Sequence, residues 1–293
     1  MKILVVGGSG FIGRNLVELL IESHEVTVLD LYLPEQINGK VNFLKINLMQ
    51  DFNFESDNHF DVVVNLAGVG IFRRWTRKNR DLIIKSRVIG TRNLIRALGK
   101  LSRRPKKFIQ ASAMGFYGDR GEELLTVKSS KGEGFLADLV MAWEAESDIL
   151  VNLDICRIVV RQAVVFGESG YLATLKKLFS LGIGGLIGDG RQFIPWVDID
   201  DLVKYYVHLI EEVEDSRIVH GQFSEAARQR EVVELIGKNL GRRVFVRVPI
   251  WILALFFGGS GRELNFSQKT EPTQWRGAEN LNLKKVLAKW LKN

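Results

Sequence analysis

The chain is poor in cysteine. One residue, Cys156, stands among 293, so no disulfide framework forms within a chain and a cytoplasmic compartment is the expectation. Cys156 lies inside the apolar run DICRIVV and reads as a strand residue rather than a nucleophile. The four histidines, His24, His59, His208 and His220, are scattered, without an H-E-x-x-H pair or a zinc-ligand spacing. No metal is expected. A G-x-S-x-G nucleophile elbow is missing, because GGSG at Gly258–Gly261 lacks the spacing. Long hydrophobic runs are missing too. VPIWILALFFGG is too short to span a bilayer and is expected to pack on the body of the protein, so no membrane partner is expected. The first apolar run is a strand followed at once by glycines, unlike a secretory leader. The net charge of +7 is spread over many segments. Its small clusters, RRWTRKNR and SRRPKK, are not interleaved with base-stacking aromatics, and a nucleic-acid partner is not expected. A positive field suits nucleotides and nucleotide-sugars, and equally solubility.

What is present is a strongly patterned apolar content. Hydrophobic residues make up 46% of the chain, enough for a sizeable core. Strand-like runs (KILVVG, EVTVLD, VNFLKI, DVVVNLAG, KKFIQASA, ICRIVVRQAVVFG) alternate with helix-like segments, the longest over 77–101 and 133–150. The strands are continuously apolar, as strands buried on both faces of a parallel sheet are. The expected fold is α/β, a Rossmann-type doubly wound parallel sheet. After about residue 167 the pattern changes: glycines cluster in LGIGGLIGDG, then come a helix DDLVKYYVHLIEEVE, a short strand near GQFSEA, a helix REVVELIGKNLG and a strand RRVFVRVP. The expected division is a dinucleotide-binding domain over 1–167 and a smaller α+β substrate lobe over 168–293, interleaved with the sheet edge. Asp200 and Asp201 are expected to cap the lobe's first helix, with Asp198 close by.

The chemistry-bearing motif is VVGGSGFIGRN, between the first strand and the first helix. Gly7 permits a tight turn, Gly10 lets the backbone approach a pyrophosphate, and Gly13 lets the helix pack close to the sheet. The helix N-terminus offers N–H groups and a partial positive charge to phosphates. Asp30 closes the second strand, where a carboxylate bonds both ribose hydroxyls and repels a 2′-phosphate. NAD is therefore expected over NADP, with NADP the alternative.

The combination GGSGFIG, NLAG (Asn65–Gly68), ASAMGFYG (Ala111–Gly118) and GDGRQFIPWVDIDD (Gly188–Asp201) resembles an extended short-chain dehydrogenase/reductase. It is most similar to an atypical epimerase-like subgroup of the NAD-dependent epimerase/dehydratase family. Arg74-Trp75-Thr76, Ser86-Arg87, Gly182–Gln192 and Ser267–Pro272 extend the resemblance over essentially the whole chain. It implies that Gly7, Gly8, Gly10, Phe11, Ile12 and Gly13 line the pyrophosphate and that Asp30 holds the adenosine ribose. Asn47 and Leu48 would lie against the adenine, Leu66, Ala67 and Gly68 would border the cofactor, and Ser86 would support the site. A homodimer through the helices 77–101 and 133–150 is also implied, although Leu136, Leu139, Val140 and Trp143 read equally well as core.

The same family relies on a serine and a Tyr-x-x-x-Lys dyad, in which the lysine lowers the tyrosine pKa and the tyrosine moves a proton while hydride passes. Ser112 fits the serine. Where the dyad belongs, however, stand Phe135 and Leu139, and no tyrosine lies between Tyr117 and Tyr171. Three readings follow. Tyr117 replaces the missing acid/base, against its being a pocket or packing residue. Asp138 acts with Ser112, against its being a solvated helix aspartate. Or the protein is a non-catalytic dinucleotide-binding sensor or assembly protein. On the substrate side Arg191 and Gln192 follow a glycine loop, Trp196 could stack on a base or sugar, and Arg73, Arg74 and Trp75 could face the cleft. The expected function is an NAD(P)-dependent oxidoreductase or epimerase-like protein acting on a polar hydroxyl or nucleotide-sugar substrate.

Overall fold

Uninterrupted valine, isoleucine and leucine runs build the centre of the protein, because a strand covered by helices on both faces has no side to leave polar. The computed structural model describes residues 1–258, 262, 263 and 265–291; positions 259–261 of the GGSG segment lie outside them. The chain begins with β1 (Lys2–Val6), α1 (Phe11–Leu20), β2 (Glu25–Asp30), β3 (Asn42–Lys45) and β4 (Val62–Asn65). The long helical stretch that follows is α2 (Arg77–Ile84), one π turn over Lys85–Ile89, and α3 (Gly90–Gly99). Thr76 caps α2 by accepting the Asn79 N–H at 3.3 Å. Then come β5 (Lys107–Ala113), β6 (Leu124–Leu125), α4 (Phe135–Ala145), β7 (Cys156–Gln162) and β8 (Val164–Phe166). The expected helix 133–150 is thus shorter at both ends, and its last part is a 3-10 turn over Asp148–Leu153.

The remainder runs α5 (Tyr171–Ser180), β9 (Gly185–Ile187), β10 (Phe193–Ile194), β11 (Trp196–Asp198), α6 (Ile199–Glu211), β12 (Arg217–Gly221), β13 (Ala227–Arg228), α7 (Gln229–Asn239), β14 (Val246–Val248), α8 (Ile250–Phe257), β15 (Lys269–Thr270) and α9 (Leu283–Leu291). Seven strands form one sheet in the order β12-β7-β5-β4-β1-β2-β3, every neighbouring pair parallel. The fold is the α/β, Rossmann-type doubly wound sheet expected from the alternation. One face packs on α1 and α6 through Val17, Leu20, Leu202 and Tyr206; the other packs on α3 through Leu94, Ile95 and Leu98. A separate core around Phe166, Phe179, Trp196, Val233 and Leu287 holds α5, α7 and α9 of the lobe together.

Three local expectations are corrected. The strand placed near GQFSEA lies just before it, as β12, and extends the main sheet beside β7 rather than the lobe. The α6 cap is Asp198, whose side chain accepts the Asp200 N–H at 2.8 Å, worth about 1 kcal/mol. Asp201 is buried instead and accepts the N–H groups of Glu279 and Asn280, which ties the C-terminal segment to α6. The apolar helix α8 does not bury its whole surface: Trp251 is 66% exposed and Leu255 63%. Among the described residues no helix is long and apolar enough to cross a membrane. Leu139, Val140 and Trp143 of α4 are core, with Leu136 half-buried.

Candidate dinucleotide and active site

Parallel registry brings the C-terminal ends of β1 to β4 to one edge of the sheet, with Val6 opposite both Leu29 and Asn65, and Asp30 opposite Lys45. The glycine loop crosses this edge. Gly7 has φ +78°, and a Cβ there would lie 2.8 Å from the Ala67 nitrogen. A Cβ on Gly13 would collide with the Gly7 carbonyl oxygen, so this glycine is what seats α1 against the loop. Gly10 is different: only the Gly7 oxygen, at 3.3 Å, comes near its Cβ position, and its outer side is open. No side chain caps α1 there, so the first turn of Phe11, Ile12 and Gly13 presents its N–H groups outward. The room at Gly10 and the uncapped helix end fit a pyrophosphate. Gly8 packs under the loop, against the Val28 side chain.

Asp30 lies beside the loop, half-buried. Its carboxylate accepts the Leu31 N–H at 2.7 Å and the Ser9 N–H at 3.1 Å. Both bonds fix the orientation of the carboxylate and leave each oxygen a free lone pair for ribose. Asn47 accepts the Met49 N–H at 3.0 Å, and Leu48 packs into the core beside Gly90. Leu66, Ala67 and Gly68 follow β4, with Gly68 exposed on the edge. The buried Asn65 secures this turn by accepting the Ala67 N–H at 3.3 Å and donating to Thr91 Oγ1 at 3.0 Å. Ser86 is buried under the same loop, accepts the Val69 N–H at 3.2 Å and donates to the Ile83 carbonyl at 3.0 Å. Its place is behind the loop rather than at the cleft surface.

The two candidate catalytic hydroxyls lie elsewhere. Ser112 is 2% exposed and Tyr117 0%. Ser112 Oγ donates to Glu144 of α4 at 2.5 Å. Arg161 of β7 grips the same carboxylate through Nε at 2.9 Å and Nη2 at 2.8 Å, and its Nη1 donates to the Tyr117 hydroxyl at 3.0 Å. Tyr117 in turn meets His220 Nε2 at 2.6 Å, while His220 Nδ1 lies 2.7 Å from the Glu271 carbonyl. That carbonyl can only accept, so the proton sits on Nδ1 and Nε2 accepts from Tyr117. Burial pushes the Tyr117 phenol up, away from the range of an acid/base, although Arg161 pulls it the other way. Burial also holds His220 below the usual imidazole value. Burial works against the Arg161 charge as well, but Glu144 more than offsets it. This is a closed polar network inside the protein.

Other expected residues divide similarly. Trp75 is buried, with its ring edge-on to Phe135 at 5.3 Å, and Trp196 is stacked on Phe166 at 5.6 Å in the lobe core. Neither ring is free to stack on a base or sugar, which corrects both assignments. Arg74 and Arg191 are exposed, Arg191 beside Asp189 at 3.5 Å, and Gln192 bonds Asn265. Asp138 pairs with Lys131 at 2.5 Å on the surface, as a solvated helix aspartate does. Phe135 and Leu139 lie in one apolar cluster with Trp75, Ile83 and Trp143. The Cys156 thiol is half-buried, and burial raises its pKa. Among the described residues no group of three or more His, Cys, Asp or Glu is placed to hold a metal ion.

Residues not singled out as site candidates also shape this region. Glu263 accepts the N–H groups of Phe135 at 3.1 Å and Leu136 at 2.8 Å, capping α4, whose own cap is Gly134. Ser267 Oγ accepts the Phe193 N–H at 3.0 Å and donates to the Gly121 carbonyl at 2.7 Å, lacing the C-terminal segment to the lobe and the sheet loop. The sequence signal for the Glu144–Arg161 pair was the presence of charges inside otherwise apolar runs, VMAWEAE and ICRIVVR.

Comparison with known proteins matches residues 3–220 to the model of the NAD dependent epimerase/dehydratase family. Epimerase family protein YfhF of Bacillus subtilis (strain 168) is 30% identical over 244 residues, covering 83% of this chain and 79% of that one. The human epimerase family protein SDR39U1 is 31% identical over 264 residues, covering 88% and 87%. The crystal structure of human SDR39U1 (isoform 2) with NADPH superposes over 100% of both chains with TM-score 0.84 at 28% identity. UDP-glucuronic acid 4-epimerase from Bacillus cereus, solved in complex with NAD, shares the fold, with TM-score 0.78, 17% identity and 99% and 97% coverage.

Proposed function

The chain belongs to the NAD dependent epimerase/dehydratase family, and on that footing we propose that it binds NAD(H) and acts on a polar hydroxyl or nucleotide-sugar substrate without a tyrosine–lysine pair. The observation that carries the cofactor half is the uncapped α1 N-terminus at the open Gly10, beside the anchored Asp30 carboxylate. When bound, the dinucleotide supplies hydride transfer. Gly7 to Gly13 hold its pyrophosphate, Asp30 the adenosine ribose, and Asn47 and Leu48 border the adenine. Leu66, Ala67 and Gly68 line the path toward the substrate. Arg74, Arg191 and Gln192 form the polar rim on the substrate side. Ser112 and Tyr117 act as positioning residues that lock α4 and β7 together. The single cysteine supports a cytoplasmic setting. A homodimer through α2–α3 and α4 would use Ile84 and Met141, exposed apolar residues of those helices.

Side-by-side titration with NADH and NADPH tests the cofactor reading: NADH is expected to bind more tightly. Tighter NADPH binding, the ligand named for the human relative, would sink the role given to Asp30. Transfer of deuterium from 4-deuterated NADH to carbonyl substrates, or from the carbinol carbon of deuterated hydroxyl and nucleotide-sugar substrates to NAD+, tests catalysis. A specific observation favours a second reading. The closed Ser112–Glu144–Arg161–Tyr117–His220 network engages both candidate hydroxyls, Ser112 and Tyr117, in bonds within the protein. Intact NADH binding with no deuterium transfer across a broad substrate panel decides for a non-catalytic sensor or assembly protein.

A further inference from the structure

One end of the lobe is apolar, basic and free of acid. No aspartate or glutamate occurs between Glu168 and Asp189, nor between Glu234 and Glu263. These two segments meet, because β9 and β14 pair in parallel, with Val246 opposite Gly185 and Val248 opposite Ile187. Each strand of this ribbon has three residues, so it is about 10 Å long. At its entrance stand Phe245, 76% exposed, Leu181, 64%, and Ile183, 53%. Past its exit begins α8, where Ile250 lies 3.5 Å from the Cβ position of Gly188, the residue that follows β9. On α8 Leu253 is buried, whereas the exposed Trp251 and Leu255, four residues apart, share one outward stripe. Large apolar side chains are thus bare at both ends of a short ribbon. Cations stand among them. Phe245 and Arg247 alternate with Val246 and so point to one face of β14. Lys238, Arg242 and Arg243 are exposed just before it. Among the described residues no carboxylate pairs with any of these four cations.

A contiguous bare apolar surface marks something that covers it. A second copy related by a twofold axis would set the same cations against one another, which opposes self-pairing. A nucleic-acid backbone would answer the cations and leave Leu181, Ile183, Ile250 and Leu255 without partners. An anionic bilayer answers both: lipid phosphates meet the arginines, and the acyl boundary takes up the aliphatic and aromatic side chains. Trp251 has the amphipathic ring that sits at headgroup depth. The eight residues of α8 are too few to cross a membrane, but lying in its surface needs no spanning length. We propose that the face made by β9, β14 and α8 docks on an anionic phospholipid surface and holds the protein there as a peripheral protein. Docking needs no dinucleotide, so it stands or falls apart from the cofactor reading.

Sedimentation of the full chain with sucrose-loaded vesicles tests it, comparing equimolar phosphatidylglycerol and phosphatidylcholine with phosphatidylcholine alone. The protein is expected to bind the anionic vesicles at least about tenfold more strongly than the neutral ones. Raising the salt concentration should release it, because the contribution of the cations is screened. Trp251→Ser combined with Leu255→Ser should weaken binding by about tenfold or more. Arg242→Gln and Arg243→Gln should each weaken it about fivefold. Ile149→Ser, which removes an exposed apolar residue from the 3-10 turn after α4, should leave it unchanged. All these side chains are exposed, so the variants should keep the wild-type melting temperature, and lost binding is then not lost fold. No binding to the anionic vesicles, equal binding to the neutral ones, or wild-type binding by the Trp251→Ser, Leu255→Ser double variant overturns the proposal. So does a dimer in light scattering that the same double variant splits, since a second copy would then cover this face. Should the double variant fail to fold, Arg242→Gln and Arg243→Gln decide the question.

Discussion

Replacing Glu144 with glutamine removes one negative charge from the interior and almost nothing else. The carboxylate accepts three bonds, from Ser112 Oγ and from Arg161 Nε and Nη2. The side chains of the ion pair are 8% and 4% exposed, so solvent cannot replace what is lost. The amide keeps one acceptor and turns an NH2 group toward donors, leaving the Arg161 charge buried and uncompensated. Breaking one side of such a pair costs about 3–5 kcal/mol. At roughly 2–3 °C per kcal/mol for a chain of this length, the melting temperature should fall by about 6–15 °C. Thermal and urea unfolding followed by circular dichroism measure it. NADH affinity should be unchanged, because the bonds of the network run among Ser112, Tyr117, Glu144, Arg161 and His220 and not to the glycine loop. Glu144→Gln combined with Arg161→Met should lose less than the sum of the single losses, with a coupling of about 1–3 kcal/mol. The reasoning fails if Glu144→Gln unfolds within about 1 kcal/mol of the wild type. It fails equally if stability holds while activity vanishes, since Glu144 would then be a cleft residue.

Tyr117→Phe leaves His220 Nε2 without its partner and Arg161 Nη1 with only the Val127 carbonyl, at 3.3 Å, and should destabilise by about 1–3 kcal/mol; abolished turnover at wild-type stability would restore Tyr117 as the acid/base. His220 has its folded pKa pushed below the ordinary 6.5 by burial. The unfolded chain therefore binds the proton first, so stability is full above pH 6.5 and declines as pH falls through the lower folded value. Urea titrations across that window should show this slope, and His220→Gln should flatten it. Gly10→Ala has an ordinary backbone conformation, φ −70° and ψ 173°, with one tight neighbour, the Gly7 oxygen at 3.3 Å. It should fold with a loss of at most about 1 kcal/mol, yet weaken NADH by roughly tenfold or more; unchanged NADH affinity would remove the pyrophosphate from that position. Leu139→Lys would bury an ammonium in the apolar cluster that Trp143 shares with the Arg87 guanidinium. It should destabilise by about 3 kcal/mol or more rather than rebuild a lysine of the dyad; a stable variant with raised turnover would overturn this.

Patterned runs were the legible part of this protein. KILVVG, EVTVLD and DVVVNLAG announce central parallel strands, because apolar continuity is a local property that survives into any fold burying both faces. GGSGFIG likewise announces its turn, since Gly7 and Gly13 are demanded by backbone geometry a few residues away. The lack of a tyrosine and a lysine at Phe135 and Leu139 is a plain fact of the residue order. The side chains around them are not. Ser112 and Tyr117 look like cleft residues by their distance along the chain, yet both are turned inward by Glu144, Arg161 and His220, which come from α4, β7 and β12. Trp75 and Trp196 look like stacking platforms and are core. Periodicity and glycine spacing by themselves determined the sheet and the phosphate loop, because both depend on neighbours in sequence. Which hydroxyls are buried, and against which charges, was decided only by the tertiary structure, because those partners lie between 17 and 103 residues apart.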